Sequence, residues 1–366
     1  MLTINLHGHL SAQFGLAGGA AATRRLLEAV GCRVQPHDLR LATHPAVLEA
    51  EPNCTAHQPA QLDLVHTNPN LLAASPELLR PSELRAPLRI GYWAWELEAF
   101  PEGWEAHFAD YDEIWCPSPF SAQSLAQRSP VPVISIPHLP DWPRLQALQQ
   151  RRTEARATRQ AGPFRVLSLF DFWSTPERKN PLGAIEAFQQ AFPRHQADTP
   201  PAELLIKTSS ADQFPQACAR LIEAAAGDPR IHWRHGLLSP AEMDQLLMEA
   251  DVLLSLHRSE GFGLVLADAM AIGLPVIATG YSGNLDFMPP ASAVLVPWQP
   301  AAIQRTSGDY RQGWTWAEPD LAHAASALRQ LATDPAGAEA LGRRGAEAVR
   351  ERLSVERLGA IVRQRL

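Results

Sequence analysis

The strongest constraint on this chain is an alternation. Short apolar runs recur between segments of helical periodicity from near the start to the final third. In the first half, residues 2–6, 61–66, 88–93, 113–116 and 131–137 read as strands, with 19–30, 100–109 and 120–128 as helices. In the second, residues 164–170, 204–207, 231–235, 252–256 and 275–278 read as strands. Residues 181–192, 214–226, 240–250 and 262–272 are the intervening helices, and the end of the chain is helical. Repeated β-α units imply parallel sheets with helices on both faces. Two such series predict an α/β chain of two doubly wound, Rossmann-like domains facing each other across a cleft, where ligands bind at the strand ends. The 366 residues suit two domains, each with its own core. Pro137, Pro140 and Pro143, then a polar, basic run over 149–160 that ends at Gly162-Pro163, place the boundary. The expected domains are 1–155 and 160–346.

Composition narrows the class. With 32 basic against 39 acidic side chains, the formal charge of −7 argues against a nucleic-acid binder. Cys32, Cys54, Cys116 and Cys218 are dispersed, without a CxxC pair, so neither a disulfide framework nor a cysteine zinc site is expected and a reducing cytoplasm fits. The first basic residue is Arg24, so no secretory leader is read. The apolar stretch 263–280 contains Asp268 and Pro275 and reads as a buried helix followed by a strand, ahead of a membrane span.

The chemistry concentrates in SEGFGLVLADAMAIGLPVIAT, residues 259–279. Glu260 follows a strand. Gly261 and Gly263 let the backbone approach a ligand closely, and the helix beginning near Phe262 offers free N–H groups suited to a phosphate. Asp268 lies about 12 Å further along that helix direction at ~1.5 Å per residue. That span fits a sugar, a diphosphate and a ribose, and carboxylates accept from sugar hydroxyls. Arg178 and Lys179, in FDFWSTPERKNPLGAIEAF, stand between a strand and a helix, where they would neutralise a departing diphosphate. Lys207, in LLIKTS, has two open readings: phosphate support, or simply the end of a strand.

These residues resemble a known family. The pattern EGFG…AMA.G.PVIAT, with Glu260 and Asp268 at its Glu-x7-Glu positions, is similar to the retaining glycosyltransferases of family 4, which have the GT-B fold. The resemblance implies that Glu260 contacts the donor sugar near the reacting carbon. Gly261, Phe262, Gly263 and Leu264 would lie along the sugar and diphosphate, and Asp268 would bind the ribose in place of a longer Glu. Lys179 and Arg178 would serve the leaving group without a metal. The loop 280–284 would close over the donor, and the loop at Gly236 and Leu237 would meet the base. On the acceptor side, Gly18 resembles part of a family G-L-G loop, within Gly15-Leu16-Ala17-Gly18-Gly19. GYWAWELEAFP…YDEIWCPSPF, residues 91–120, contributes Trp95 and Glu96. A terminal helix, about 347–366, would pack back on the first domain. The implied activity is retaining transfer of a sugar from a nucleoside diphosphate sugar to a glycan or glycolipid hydroxyl, in polysaccharide or glycoconjugate biosynthesis. No cofactor beyond the donor is implied.

Other signals are weaker. Asp110-Tyr111-Asp112 matches a metal-binding D-x-D without supporting context and reads as a solvated turn. The pairs His7/His9 and His232/His235 lack a third ligand, so no metal site is expected, although His7 could face the cleft. GYSGN lacks the second Gly and the context of a serine-hydrolase elbow. Arg151, Arg152, Arg156 and Arg159 suit either an anionic membrane surface, giving peripheral contact, or a solvated linker face. Ten Trp against four Tyr hint at sugar stacking. Trp93, Trp95 and Trp173 are the cleft candidates, Trp115 and Trp233 read as core, and Trp314 and Trp316 fall in a loop before a helix. Two rival readings remain: a non-catalytic nucleotide-sugar-binding or scaffold protein, motivated by Asp268, and an enzyme of the same fold acting by phosphorolysis or epimerisation.

Overall fold

The computed structural model describes residues 1–44, 47–48, 59–194 and 199–366; Cys54 lies outside them, and Cys32, Cys116 and Cys218 are free thiols. The first half forms one parallel sheet from β1 (Thr3–Gly8), β2 (Arg33–Asp38), β3 (Leu62–His66), β4 (Leu88–Tyr92), β5 (Glu113–Cys116) and β6 (Val133–Ser135), in the order β2-β1-β3-β4-β5-β6. The second half repeats the architecture. Strands β7 (Phe164–Asp171), β8 (Ala202–Ser209), β9 (Ile231–His235), β10 (Val252–Ser255), β11 (Val276–Thr279) and β12 (Val294–Val296) pair in the order β12-β11-β10-β7-β8-β9, again all parallel. The order reverses between β1 and β3 in one sheet and between β7 and β10 in the other. Open α/β sheets leave a crevice outside the strand ends at such points.

The structure departs from the sequence reading in several places, four of them instructive. Strand β2 was not anticipated: it is an edge strand, RVQPHD, whose proline and mostly half-exposed side chains mask a strand signal. Of the helix expected over 100–109, only a 3₁₀ turn at Glu105–Asp110 forms, because Pro101 and Gly103 (φ 88°) interrupt its start. The expected glycine loop at 15–19 is already helix, Gly15–Ala29. Its glycines serve close packing. A Cβ at Gly18 would stand 3.1 Å from Leu264, and one at Gly19 would stand 2.9 Å from both His66 and His138. Finally, Trp316, assigned with Trp314 to a loop, lies buried in the far arm of an antiparallel hairpin, β13 (Trp298–Ala302) with β14 (Thr315–Pro319), while Trp314 directly precedes that arm.

Each sheet packs a core of its own, around Val166, Phe188 and Ile206 in the second half and around Val65, Trp93 and Ile114 in the first, and a third core joins the halves. This apolar cluster runs from Ile4, Leu6 and Leu26 through Leu145 and Leu148 to Phe262, Leu266 and Met270, and on to Leu358 and Val362. Two segments make it continuous. The helix Trp142–Ala157 links the halves and buries Leu145 and Leu148. After the long helix Pro335–Arg352, the chain breaks at Leu353–Ser354, and the last helix, Val355–Arg363, packs on the first helix, with Gly359 against Val30.

The basic run in the linking helix is not a uniform solvated face. Arg152 is buried and donates to the Leu247 and Met248 carbonyls (2.9 and 2.7 Å), where the helix Pro240–Glu249 ends. A guanidinium there answers the unpaired carbonyls and the negative end of the helix dipole. Arg156 and Arg159 both bond Asp251 Oδ1 (2.8 and 2.7 Å). Among the described residues, no helix is long and apolar enough to cross a membrane; residues 263–280 divide into the buried helix Leu264–Ala271 and strand β11.

Candidate active site

The site is built from the two loops that leave the switch point of the second sheet. Residues 172–180 follow β7, and residues 256–263 follow β10. Their meeting is fixed locally. Asn180 takes a left-handed backbone (φ 54°) and caps the helix Pro181–Ala191, accepting from Gly183 N at 3.1 Å, while its amide donates to Leu256 O at 2.9 Å. Asparagine tolerates that conformation and is a preferred cap, worth ~1 kcal/mol over alanine. The short turn Pro176–Lys179 is thereby pinned to the end of β10, and Arg178 O accepts from Arg258 N at 2.7 Å.

This registration places Lys179 on Glu260. Lys179 Nζ bonds Glu260 Oε1, and Arg178 Nη1 lies 3.6 Å from Glu260 Oε2 while donating to Ser259 O at 2.8 Å. Burial by itself would raise the Glu260 carboxyl. Lys179 and Arg178 more than offset it and hold its pKa at about 2. Burial lowers the Lys179 ammonium, against the pull of Glu260. Arg178 is raised: burial opposes its charge, but Tyr310, Glu96 and Glu260 outweigh burial. An ionised carboxylate and two cations thus share one partly covered centre.

The backbone around Glu260 is equally constrained. Glu260 N donates to Ser282 Oγ (2.8 Å), and Glu260 O accepts from Gly283 N (2.9 Å). The loop 280–284 therefore clasps the Glu260 peptide. Ser282 holds φ 76°, and a Cβ at Gly283 would fall 2.1 Å from Gly261 O. Gly263 (φ 96°) caps the helix Leu264–Ala271, so that helix begins two residues later than Phe262. Phe262 is buried edge-on to His138 (4.9 Å). Leu264 faces Gly18 across the junction of the halves.

Of the remaining sequence candidates, Glu96 joins the centre. Its Oε1 lies 3.5 Å from Arg178 Nη2, and its main-chain carbonyl accepts from Ser259 Oγ. The carbonyl of Trp95 would be 3.3 Å from a Cβ on Gly261. The Trp95 ring, in contrast, is 2% exposed, packs on Trp104 and donates to Ala99 O (2.7 Å), and Trp93 is fully buried. Both rings are core, which corrects their reading as cleft residues; Trp173 is 42% exposed. Asp268 lies on the helix away from Glu260, paired with Arg144 of the linking helix. Lys207 stands apart: buried on β8, it donates to Ser209 Oγ (2.6 Å), and burial lowers its pKa against the pull of Asp171. Gly236 (φ 98°) and Leu237 follow β9, exposed, and the next residue's carbonyl accepts from Gln13 of the first half (2.7 Å). His7 turns to Asp63 (3.5 Å) and stacks on His37, and Tyr111 of the D-x-D segment is buried.

Three participants were missed. His257, fully buried, bridges Ser255 Oγ and Asn284 Oδ1 (3.0 and 3.1 Å). Arg258 ties the loop to Glu318 (2.7 and 2.9 Å). Tyr310, at the tip of the β13–β14 hairpin, donates to Glu96 Oε2 (2.9 Å). The sequence beside Glu260 marked the first two, as HRSEGFG; nothing local marked Tyr310.

Two parallel six-stranded sheets carrying this centre at a switch point define the GT-B class. The architecture matches sucrose-phosphate synthase of Thermosynechococcus elongatus over 100% of this chain and 98% of that one (TM-score 0.68, 19% identity). It also matches HepE of Anabaena, solved with UDP and glucose, over 100% and 99% (TM-score 0.63, 13% identity). At these identities the likeness concerns the fold. Residues 123–359 match the model of the family described as "Family 4 Glycosyltransferase in conflict systems", and the chain belongs to that family. Among curated proteins, trehalose synthase of Rubrobacter xylanophilus is 26% identical over 197 residues, which is 52% of this chain and 40% of the relative's length. The chain thus spans less than half of that relative.

Proposed function

We propose that this chain is a retaining glycosyltransferase that moves a sugar from a nucleoside diphosphate sugar to an acceptor hydroxyl of a glycan or glycolipid. The observation that carries the reading is the Lys179–Glu260–Arg178 cluster beside the Gly263-capped helix. In this reading the diphosphate takes Lys179 and Arg178 as counter-charges and the helix N-terminus as donor, while Glu260, released from Lys179, orients the sugar hydroxyls. The bond from the anomeric carbon to the diphosphate oxygen breaks as the acceptor oxygen bonds the same face. The acceptor proton passes to the departing diphosphate. Preorganised positive charge at such a leaving group is worth ~2.7–4 kcal/mol per donor. Residues 160–346 serve the donor and 1–155 the acceptor. Lys207, Gly236 and Leu237 line the nucleotide end, Asp268 meets the ribose, and Gly18 meets the donor across the junction. No metal is assigned a role.

HepE has also been solved with UDP-glucose, which makes that donor the first probe. The test measures UDP and GDP release from a panel of nucleotide sugars, with and without methyl glycosides as acceptors, and determines the product's anomeric configuration. Release with inversion would defeat the retaining mechanism. Binding of nucleotide without release under any acceptor would favour a non-catalytic role.

A further inference from the structure

The β13–β14 hairpin is anchored at both ends to the catalytic centre. At its root, Ala317 N donates to Arg258 O (3.0 Å), and Arg258 is paired with Glu318. Arg258 lies two residues before Glu260. At its tip, Ser307 and Tyr310 close a tight turn by paired backbone bonds (2.9 and 3.0 Å). That turn reaches the first half of the chain. Asn70 Nδ2 donates to Asp309 Oδ2 (2.7 Å), and Arg311 lies 3.3 Å from Glu102. Tyr310 stacks on Trp95 (5.4 Å, 12° between planes), and Trp314 meets the same indole edge-on. Beyond the ring, the Tyr310 hydroxyl bonds Glu96 Oε2, and Arg178 sits over the ring at 5.9 Å.

Glu96 consequently has two holders. Arg178 takes Oε1 from the donor side, and Tyr310 takes Oε2. In the glycosyltransferase reading, on which this inference rests, the diphosphate draws on Arg178. The hydroxyl of Tyr310 then becomes the group that keeps Glu96 aimed at the reacting centre. We propose that Tyr310 is a positioning residue. Carried by the hairpin, it orients Glu96 to receive an acceptor hydroxyl, and the hairpin tip is a determinant of acceptor specificity. The stacking on Trp95 sets the ring, and the hydroxyl sets the carboxylate. Tyr310→Phe removes only the second.

Two measurements test this. In the first, UDP release from UDP-glucose is followed with and without methyl α-glucoside. Tyr310→Phe is expected to raise the methyl glucoside KM at least tenfold, a larger change than it makes in acceptor-free hydrolysis or UDP affinity. An unchanged acceptor KM overturns the proposal, as does an equal loss of hydrolysis and UDP affinity, which would mark a merely structural role. The second needs no substrate: hydrogen–deuterium exchange of residues 94–98. Tyr310→Phe should speed exchange there and leave 259–263 unchanged, and unaltered exchange in 94–98 overturns the proposal. A parent protein that neither binds UDP nor releases it defeats the glycosyltransferase reading, and the exchange result still decides whether Tyr310 holds Glu96.

Discussion

Arg144 bridges two carboxylates of the donor-side half. Nη1 lies 2.5 Å from Asp244 Oδ1, and Nη2 bonds Asp268 Oδ2. The linking helix is thereby tied to the helix that starts at the candidate phosphate site. Burial raises the Asp268 carboxyl, and Arg144 works against that. A carboxyl raised in the folded state stabilises below its unfolded pKa and loses that contribution as pH rises through its folded value. Arg144→Ala leaves Asp268 without this cation, so its deficit grows with pH. The expected loss is about 1 kcal/mol at pH 8, since the pair is partly exposed, and smaller at pH 5, closer to the raised pKa of that carboxyl. Thermal melts at both pH values check this; an equal deficit at each would show that Asp268 does not depend on Arg144.

Lys179 is expected to matter more to turnover than to folding. With its cationic partner on Glu260 and a diphosphate to serve, Lys179→Ala should lower the rate of nucleotide release at least a hundredfold, equivalent to ~2.7 kcal/mol in the barrier. Lys179→Arg should recover part of it. If Lys179 and Arg178 supply the counter-charge, EDTA should leave the parent rate unchanged. Near-normal turnover in Lys179→Ala would remove the leaving-group role, and inhibition by EDTA reversed by a divalent cation would assign that charge to a metal.

The sequence made the donor side legible because its chemistry is contiguous. Glu260, the glycines and the helix start lie within one turn of chain, and strands β10 and β11 beside them carry unbroken apolar runs. Arg178 and Lys179 were readable for the same reason, sitting between a strand and a proline-started helix. The acceptor side was less legible. The Trp95 ring belongs to a core that includes Tyr310 and Trp314, more than two hundred residues away, so no local pattern shows which face of the indole is covered. Glycines at 15–19 satisfy a loop and a tightly packed helix equally well, and only the approach of Leu264, His66 and His138 decides between them. Strand β2 and the hairpin are short, half-exposed and interrupted by proline, which weakens their period-two signal.

A buried imidazole cluster sets the acid limit of the fold. His66 is fully buried and stacked on Tyr92 at 4.1 Å, and its two ring nitrogens have no hydrogen-bond partner. His138 lies beside both rings. Burial keeps both neutral, holding His138 at about 3 and His66 well below its usual value. The unfolded chain protonates these groups near pH 6.5, so between there and the folded values it binds more protons, and stability falls as pH drops. His66→Phe keeps the ring and removes one such proton. Between pH 6 and 4.5 its unfolding free energy should fall less steeply, by about 1.4 kcal/mol per pH unit. Urea titrations across that range test it. A slope equal to the parent's would mean His66 is protonated in the folded state.

Gly283 should be the least replaceable glycine at the site. Its amide donates to Glu260 O, and a methyl there would meet the Gly261 carbonyl at 2.1 Å and Ser118 Oγ at 2.8 Å. The serine hydroxyl can turn aside. The carbonyl cannot, because Gly261 is enclosed by Trp95 O and the Glu96 side chain. Relief requires moving either the 280–284 loop or the Glu260 loop, and both are bound to each other through Ser282. Overpacking of this kind costs roughly 1–3 kcal/mol, and the displaced backbone carries Glu260 with it. Gly283→Ala is therefore expected to lower the melting temperature and reduce nucleotide release together. Gly308→Ala, at a hairpin turn with open space around the α-carbon, should cost stability through its backbone conformation (φ 55°) while sparing UDP affinity. Calorimetric UDP binding by the two variants separates them: full affinity in Gly283→Ala would show that the clasp on Glu260 is dispensable for the donor.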